Sequence, residues 1–171
     1  MVRVAGSDRT ADGVEPSIDL QGFVAFGDSQ WHNKTLRALA LRLQDEHQLE
    51  PNLLLLAIFL SSKGQFVDSD DFKQIALAQQ PFATEVLSPY RELRRLAKKH
   101  LVETDYRRML EVELILERHS QKLIVGAYKG ITPKATGNNG AALLAAHQWY
   151  ETPLPADLAE QLQLCIGSVD L

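Results

Sequence analysis

The sequence predicts an all-α protein, a single compact bundle of seven or eight helices. Apolar residues recur at intervals of three and four along most of the chain, which is the spacing of a helix that buries one face. Alternation of apolar and polar residues never persists for the length of a strand outside these helical patterns. Proline, glycine and capping residues stand at the boundaries of the periodic segments, where helices begin and end.

The bulk properties indicate an ordinary globular protein. A chain of 171 residues can form one domain with a real core, and a net charge of -4 indicates no whole-protein affinity for nucleic acid or membranes. The single cysteine, Cys165, has no internal partner for a disulfide, so a reducing cytoplasm is the expected location. We expect no membrane association, because the longest apolar run, residues 53–60, is too short to cross a bilayer.

The chain divides into a flexible N-terminal arm, residues 1–17, and a single helical domain, residues 18–171. The arm is rich in glycine, aspartate and serine and has few large apolar groups to bury. The domain opens with Asp19, which can cap a short helix over residues 20–26 that ends at Gly27.

Two further helices follow, over residues 33–47 and Pro51–Ser62. The first carries a stripe of apolar side chains on one face: Leu36, Leu39, Ala40 and Leu43. The second starts with proline at a favourable position and ends at Gly64. Its side chains are apolar almost throughout, so we expect it to be buried on nearly all sides.

An acidic cluster at residues 68–71 precedes the next helix, and we interpret it as an N-cap with first-turn acids. A calcium loop is the alternative, but Lys73 stands where the sharp turn needs glycine, and no glutamate closes the loop. Pro81 is expected to separate this helix from one that runs to about residue 100, with a kink or boundary at Pro89.

The long helix predicted over residues 105–123 carries carboxylates on its apolar face. At about 100° per residue, one arc contains both apolar and polar side chains: Tyr106, Leu110, Leu114 and Ile124, with Glu113, Glu117 and Gln121. Carboxylates in a core are costly unless they are paired or ligated. This face therefore holds a polar network, a metal or an open groove. Residues 126–140 read as a loop, followed by helices over 141–150 and 155–166.

A basic stripe lies on the preceding helix, with spacing that places five cations on one face: Arg91, Arg94, Arg95, Lys98 and Lys99. Tyr90, Leu93, Leu96 and Ala97 fall on the opposite side. The stripe is either a solvated face with intramolecular ion pairs or a surface that contacts phosphates or an acidic partner. No aromatic residue is interleaved with it, which argues against sequence-specific readout of nucleic acid.

A buried ion network is the simplest account of the inward carboxylates. If the two helices form an antiparallel hairpin, Glu113 lies near Glu92 and Arg91, and Glu111 lies near Arg94. A metal site is the alternative, but the Glu-x-x-His motif of di-iron bundles is absent. Neither a nucleophile elbow nor a phosphate-binding loop occurs, so the sequence assigns no catalytic residue, metal site or cofactor.

Three blocks of the sequence resemble a family of small proteobacterial proteins, the domain of unknown function 2390 family. The blocks are LRLQDEHQLEPNLLLLAIFLSSKG, VLSPYRELRRLAKK and YRRMLEVELILERHSQKL, in that order. The matching positions are Gln44, Asp45, Asn52, Pro89, Arg91, Arg94, Arg95, Lys98, Glu113, Glu117, Arg118 and Gln121. The resemblance implies an all-helical bacterial cytoplasmic protein and implies no reaction.

The leading hypothesis from sequence is a non-enzymatic helical adaptor. It would present the basic stripe to an acidic protein or a ribonucleoprotein surface. The alternative is a small-ligand or metal-dependent protein that uses Glu113, Glu117 and Gln121 in a cleft between helices. A third reading is a homodimer whose apolar faces meet through the helices of residues 141–166.

Overall fold

The computed structural model describes residues 18–131, 134–135 and 155–167 of the chain. These residues form α1 (Leu20–Trp31), α2 (Lys34–His47), α3 (Pro51–Ser62), α4 (Ser69–Phe82), α5 (Ser88–Ala97), α6 (Glu103–Tyr128) and α7 (Ala156–Gly167). The predicted all-α class is confirmed. The predicted arm at residues 1–17 and the predicted helix at residues 141–150 lie outside the described part of the chain.

A π-helical turn, Ala83–Leu87, joins α4 to α5 without a break. The predicted separation at Pro81 is therefore wrong: Pro81 lies inside α4, and Pro89 lies in the first turn of α5. Each proline lacks the N–H that an α-helix would use, and the wider turn lies between these two defects. When this continuous segment is counted once, the described residues contain six helices, fewer than the seven or eight predicted.

α3 is the central helix of the bundle, as predicted. Every residue from Pro51 to Ser61 is buried, with α1, α2, α6 and α7 all in contact with it. The rings of Phe23 and Phe26 in α1 pack on Phe59, with centroids 5.7 and 5.0 Å away. Burial on every side explains why this segment has no polar face.

The caps of the first helices follow the sequence closely. Asp19 caps α1, Asn33 caps α2, and the Asp68 side chain accepts a hydrogen bond from the Asp71 amide at the start of α4. α1 nevertheless continues past Gly27, which was expected to end it. Gly27 is buried, and a Cβ there would lie 3.4 Å from Leu55 Cδ1. Gly27 therefore packs inside the bundle, at the contact of α1 with α3.

α5 and α6 form an antiparallel hairpin, and the Tyr90 hydroxyl donates to the Met109 carbonyl at 3.0 Å. The buried residues of α6 all lie in its C-terminal part, between Ser120 and Tyr128. Leu110 and Leu114, which were expected in the core, are 42% and 50% exposed. Helical periodicity places them near the inner arc, but they lie in the N-terminal half of α6, where packing against α5 leaves no residue of α6 fully buried.

The end of α6 also differs from expectation, because Gly126 lies within the helix and not in a loop. Beyond it, Lys134–Ala135 (β2) pairs antiparallel with Gln65–Phe66 (β1), a two-residue ladder too short to show in the sequence pattern. Among the described residues, no helix is both long enough and apolar enough to cross a membrane.

Candidate functional site: a buried polar network

Arg91 of α5 is the centre of a buried network of charged side chains. Only 7% of its side chain is exposed. Its two terminal nitrogens donate to the two oxygens of Glu50, each at 3.0 Å. Its Nε and Nη2 atoms donate to Glu117 Oε1 at 2.9 and 2.6 Å. One guanidinium therefore joins carboxylates from two other parts of the bundle, with the bidentate geometry that arginine favours.

Local structure brings these three groups together. Glu50 is the N-cap residue of α3, whose first residue is Pro51. Arg91 lies one turn past the π-helical turn, on the face of α5 that continues from the buried Leu87. Glu117 lies in the middle of α6, just before the buried part of that helix. The network thus ties the start of the central helix to both helices of the hairpin.

Asn52 extends the network into the core. Its amide donates to Glu117 Oε2 at 2.6 Å and to Glu50 Oε1 at 3.2 Å, and its carbonyl oxygen accepts from Gln121 at 3.1 Å. Gln121 in turn accepts from Arg118 at 3.0 Å. Buried amides with defined partners hold neighbouring helices in one register.

Two more contacts complete the network at its edges. Arg118 binds both oxygens of Asp28 in α1, at 2.8 and 2.7 Å. On the other side, the Ser120 hydroxyl donates to Gln79 Oε1 of α4 at 3.1 Å. Side chains from five helices therefore take part in one continuous set of hydrogen bonds.

The buried centre carries more negative than positive charge, since Glu50 and Glu117 share Arg91. Burial raises the pKa of Glu117 above its ordinary value, and the negative charge of Glu50 raises it further, against the lowering effects of Arg91 and Asn52. Burial alone would lower the pKa of Arg91, but its bonds and charge interactions with the two carboxylates outweigh burial and raise that pKa. Arg91 is therefore permanently charged.

The raised pKa of Glu117 makes stability depend on pH in a predictable direction. Because the folded state binds this proton more tightly, the stabilisation from Glu117 is complete below its ordinary pKa of 4.5 and is lost as pH rises through the folded pKa. We expect the wild-type protein to lose stability relative to Glu117→Gln as pH rises from about 4.5 towards neutrality. Urea titrations across this range measure the difference.

The matched control is Glu111→Gln, which alters an exposed carboxylate on the same helix that has no ion pair in the described part of the chain. If the stability difference between wild type and Glu117→Gln stayed constant across the range, or moved in the opposite direction, our account of the buried charge would be wrong.

A second ion pair lies further along the hairpin. Arg94 Nε donates to Glu113, and Arg94 Nη1 donates to the Tyr106 hydroxyl at 3.1 Å. The predicted register is wrong by two to four residues, because Arg91 lies opposite Glu117 and not Glu113, and Arg94 lies opposite Glu113 and not Glu111. The hairpin turn, residues 98–102, also begins earlier than predicted, because α5 ends at Ala97.

The basic stripe is divided between the inside and the outside of the protein. Arg91 and Arg94 point inward and pair with carboxylates. These two arginines therefore differ from the predicted stripe, in which all five cations share one solvated or partner-binding face. Arg95, Lys98 and Lys99 remain exposed. The physical reason is that α3 and α6 offer acidic partners to α5, so the helix turns its charged face inward. Its apolar side is left outside, as the exposure of Leu93 and Leu96 shows.

A cavity of about 400 Å³ adjoins the network between α2, α3 and the π-helical turn. Gln48, with a left-handed φ of 55°, and Gln79 are among the residues that line it. Gln79 is almost fully buried and accepts from Ser120, but its amide N–H groups have no acceptor among the described residues. A buried donor without an acceptor is uncommon and indicates a place where water or a ligand binds.

Several members of this site were not identified as site residues from the sequence. Glu50 stands before Pro51 at a helix boundary, and Gln79 lies in a helical segment that contains no recognisable motif. The available signal for Gln79 was its position on the same face as Ile75 and Ala76, both of which are buried. Within the described ranges, no group of three or more His, Cys, Asp or Glu side chains is placed to hold a metal ion.

Comparison with known protein families bears on the same region. A family model described as "Protein of unknown function (DUF2390)" matches residues 25–124, more than half of the chain. The chain belongs to the DUF2390 family. The match contains Glu50, Asn52, Gln79, Arg91 and Glu117, so the centre of the polar network lies within the part of the chain that defines DUF2390 membership. No curated protein and no solved structure matches the chain.

Proposed function

We propose that this protein is a non-enzymatic helical interaction module, and that its α5–α6 hairpin binds an acidic protein segment. The observation that carries the proposal is the concentration of exposed large apolar side chains on the hairpin. Of the twelve such side chains in the described part of the chain, eight belong to it: Leu93, Leu96, Leu101, Val102, Leu110, Val112, Leu114 and Ile115. Apolar side chains concentrated on one exposed element favour a protein-binding role.

The charges on the hairpin favour an acidic partner. Arg95 binds Asp45 at 3.1 Å in an exposed pair, which contributes little and which a partner can replace. The Lys98 ammonium lies 6.0 Å from the centre of the Tyr106 ring, and Lys99 has no carboxylate within pairing distance among the described residues. Three exposed cations beside apolar side chains match an amphipathic segment that carries carboxylates.

A protein partner is favoured over RNA. Recognition of single-stranded RNA usually needs exposed aromatic rings on which bases stack. The Tyr106 ring lies beside these cations, but its hydroxyl accepts from Arg94 and its ring centre is 6.0 Å from the Lys98 ammonium. The apolar side chains around it suit a helix of a protein partner better.

The experiment compares two labelled probes by fluorescence anisotropy, an acidic amphipathic helical peptide and a single-stranded RNA oligonucleotide. The triple variant Arg95→Glu, Lys98→Glu, Lys99→Glu should bind the peptide at least about tenfold more weakly, since like charges then face the partner. The matched control, Lys34→Glu, Arg37→Glu, Lys73→Glu, makes the same change in net charge at exposed positions of α2 and α4, outside the hairpin.

The outcomes of this comparison are distinct. Loss of peptide binding in the hairpin variant alone supports the proposal. Preferential binding of RNA would replace it with a ribonucleoprotein role. Equal loss in both variants, or no binding of the peptide at all, would reject the hairpin as a specific docking surface for an acidic segment.

Binding of a small uncharged molecule in the 400 Å³ cavity is a second candidate function, favoured by the Gln79 amide N–H groups, which have no acceptor among the described residues. Arg91 and Arg95 also line the cavity, and both are paired with carboxylates. The lining therefore favours a ligand that forms hydrogen bonds over one that carries a charge. Glu113, Glu117 and Gln121 themselves are occupied by other side chains, which makes the cavity the better candidate. A thermal-shift screen of polyols and small amides, repeated on Gln79→Leu, distinguishes it from the interaction module.

A further inference from the structure

The outer face of α5 and of the π-helical turn before it carries an apolar stripe that the fold leaves exposed. Its members are Val86, Pro89, Leu93 and Leu96, at spacings of three, four and three residues. Leu93 and Leu96 are 56% and 57% exposed. This is the spacing with which one helix packs against another along a shared seam. The opposite face of α5 is already occupied by the arginine-carboxylate contacts, so the stripe is free to take a partner helix.

We propose that this stripe packs against the same stripe of a second copy of the chain, with the two α5 helices antiparallel. In a twofold-symmetric pair every contact occurs twice, with the roles of the two copies exchanged. Antiparallel packing about a point between Leu93 and Leu96 places each Leu93 against Leu96 of the second copy. The result is a symmetric helix pair that covers four exposed leucines.

Charged residues beside the stripe favour this register. Glu92 lies in α5, and Lys99 lies two residues past its end, where the backbone of Lys98 is still in the right-handed helical region. A helical path of seven residues, about 10 Å, places both beside the stripe on the same side and too far apart to pair. Neither has an ion-pair partner among the residues that the structure describes. In the antiparallel register each Glu92 lies opposite Lys99 of the second copy, so two reciprocal ion pairs border the apolar seam.

A parallel arrangement lacks this complementarity, because identical residues then lie at the same height and neither Glu92 meets a lysine. The antiparallel register also brings the hairpin turn of one copy to the π-helical turn of the other. Val102, which is 65% exposed in that turn, then covers Val86 of the second copy. The apolar contact therefore extends beyond the leucines at both ends of the seam.

This inference goes beyond the proposed function, because it names a second copy of the chain as the partner of Leu93 and Leu96, which also belong to the proposed peptide-binding surface. Arg95 and Lys98 lie towards α2 and α6, where they contact Asp45 and Tyr106, whereas the stripe faces away from the bundle. The variant Arg95→Glu, Lys98→Glu should therefore weaken binding of the acidic peptide without changing self-association. Failure of one idea leaves the other testable.

The experiment is sedimentation equilibrium on the full chain over a range of concentrations up to about 1 mM, as suits the weak affinity of a small interface. We expect a monomer-dimer equilibrium in the wild-type protein. Glu92→Lys alone and Lys99→Glu alone should each weaken the dimer about tenfold or more, because each places like charges across the seam. Both positions are exposed, and circular dichroism verifies that the variants stay folded.

The decisive measurement mixes the two single variants in equal amounts. A chain with lysine at both positions then meets a chain with glutamate at both positions, so the mixture should form a heterodimer more tightly than either variant forms a homodimer. The double variant Glu92→Lys, Lys99→Glu should recover the wild-type dimer. A wild-type chain that stays monomeric, or a mixture that associates no better than its components, overturns the proposal.

Discussion

Replacing Arg91 with methionine lowers the free energy of unfolding by about 3–5 kcal/mol, because two buried carboxylates then lose their shared cation. Glu50 and Glu117 lie 3.0 and 2.6 Å from the guanidinium, and their side chains are only 10% and 23% exposed, so water replaces the lost cation incompletely. A domain is stable by only about 5–15 kcal/mol in total, so this variant is close to unfolding at neutral pH. Urea denaturation followed by circular dichroism measures the loss.

Two further variants test the cause of this loss. Arg95→Met removes an exposed arginine from the same helix, and its pair with Asp45 should contribute less than about 1 kcal/mol. Adding Glu50→Gln and Glu117→Gln to Arg91→Met should restore part of the stability, since the cost comes from unpaired charges. Equal losses for Arg91→Met and Arg95→Met would show that the network is not a buried unit.

Truncating Leu56 to alanine should lower the free energy of unfolding by about 2–5 kcal/mol, through lost burial and the cavity that remains. Leu56 has no exposed surface and lies in the middle of α3. Leu93→Ala deletes the same atoms from the exposed outer face of α5. At concentrations where the chain is monomeric, it should change stability by less than about 0.5 kcal/mol. Thermal or urea unfolding of the pair compares buried and exposed leucine directly, and similar losses would contradict the burial of α3.

The sequence predicts helices well where the determinants are local. Pro51 begins α3, Asn33 and Asp68 cap α2 and α4, and the leucine stripe of α2 is buried, as periodicity indicates. Each of these features depends on side chains within a few residues of one another. Local geometry and burial periodicity are sufficient for them.

The sequence predicts the candidate site less completely, because its contacts join distant parts of the chain. Helical spacing indicates Arg91 and Glu117 as candidate site residues. It does not show that Glu50, 41 residues before Arg91, also binds the Arg91 guanidinium. It also placed the arginines and the leucines of α5 on opposite faces without showing which face is turned inward. That orientation depends on the carboxylates that α3 and α6 present to α5, which is tertiary information.

Pro81 also shows that local sequence does not determine whether a helix ends. A proline inside a helical pattern usually marks a break, which is why a separation is predicted at Pro81. Whether the chain breaks or widens depends on what the following segment gains by staying helical. Here the segment after Pro81 stays helical through a π-helical turn, and this places Arg91 beside Glu50 and Glu117.

The π-helical turn has a consequence for chain length. A π-helical turn contains one more residue than an α-helical segment of the same length. Each residue after it therefore has a number one higher than it would have in an unbroken α-helix. A homologous chain with a one-residue deletion between Phe82 and Ser88 could close the widening and keep the backbone of α5 in place. Arg91 would then still face Glu50 and Glu117. A deletion between Ser88 and Arg91 has no wider turn to close, so Glu92 would occupy the place of Arg91 and a third acid would face the two carboxylates. The π-helical turn can therefore absorb a change in segment length that α5 itself cannot.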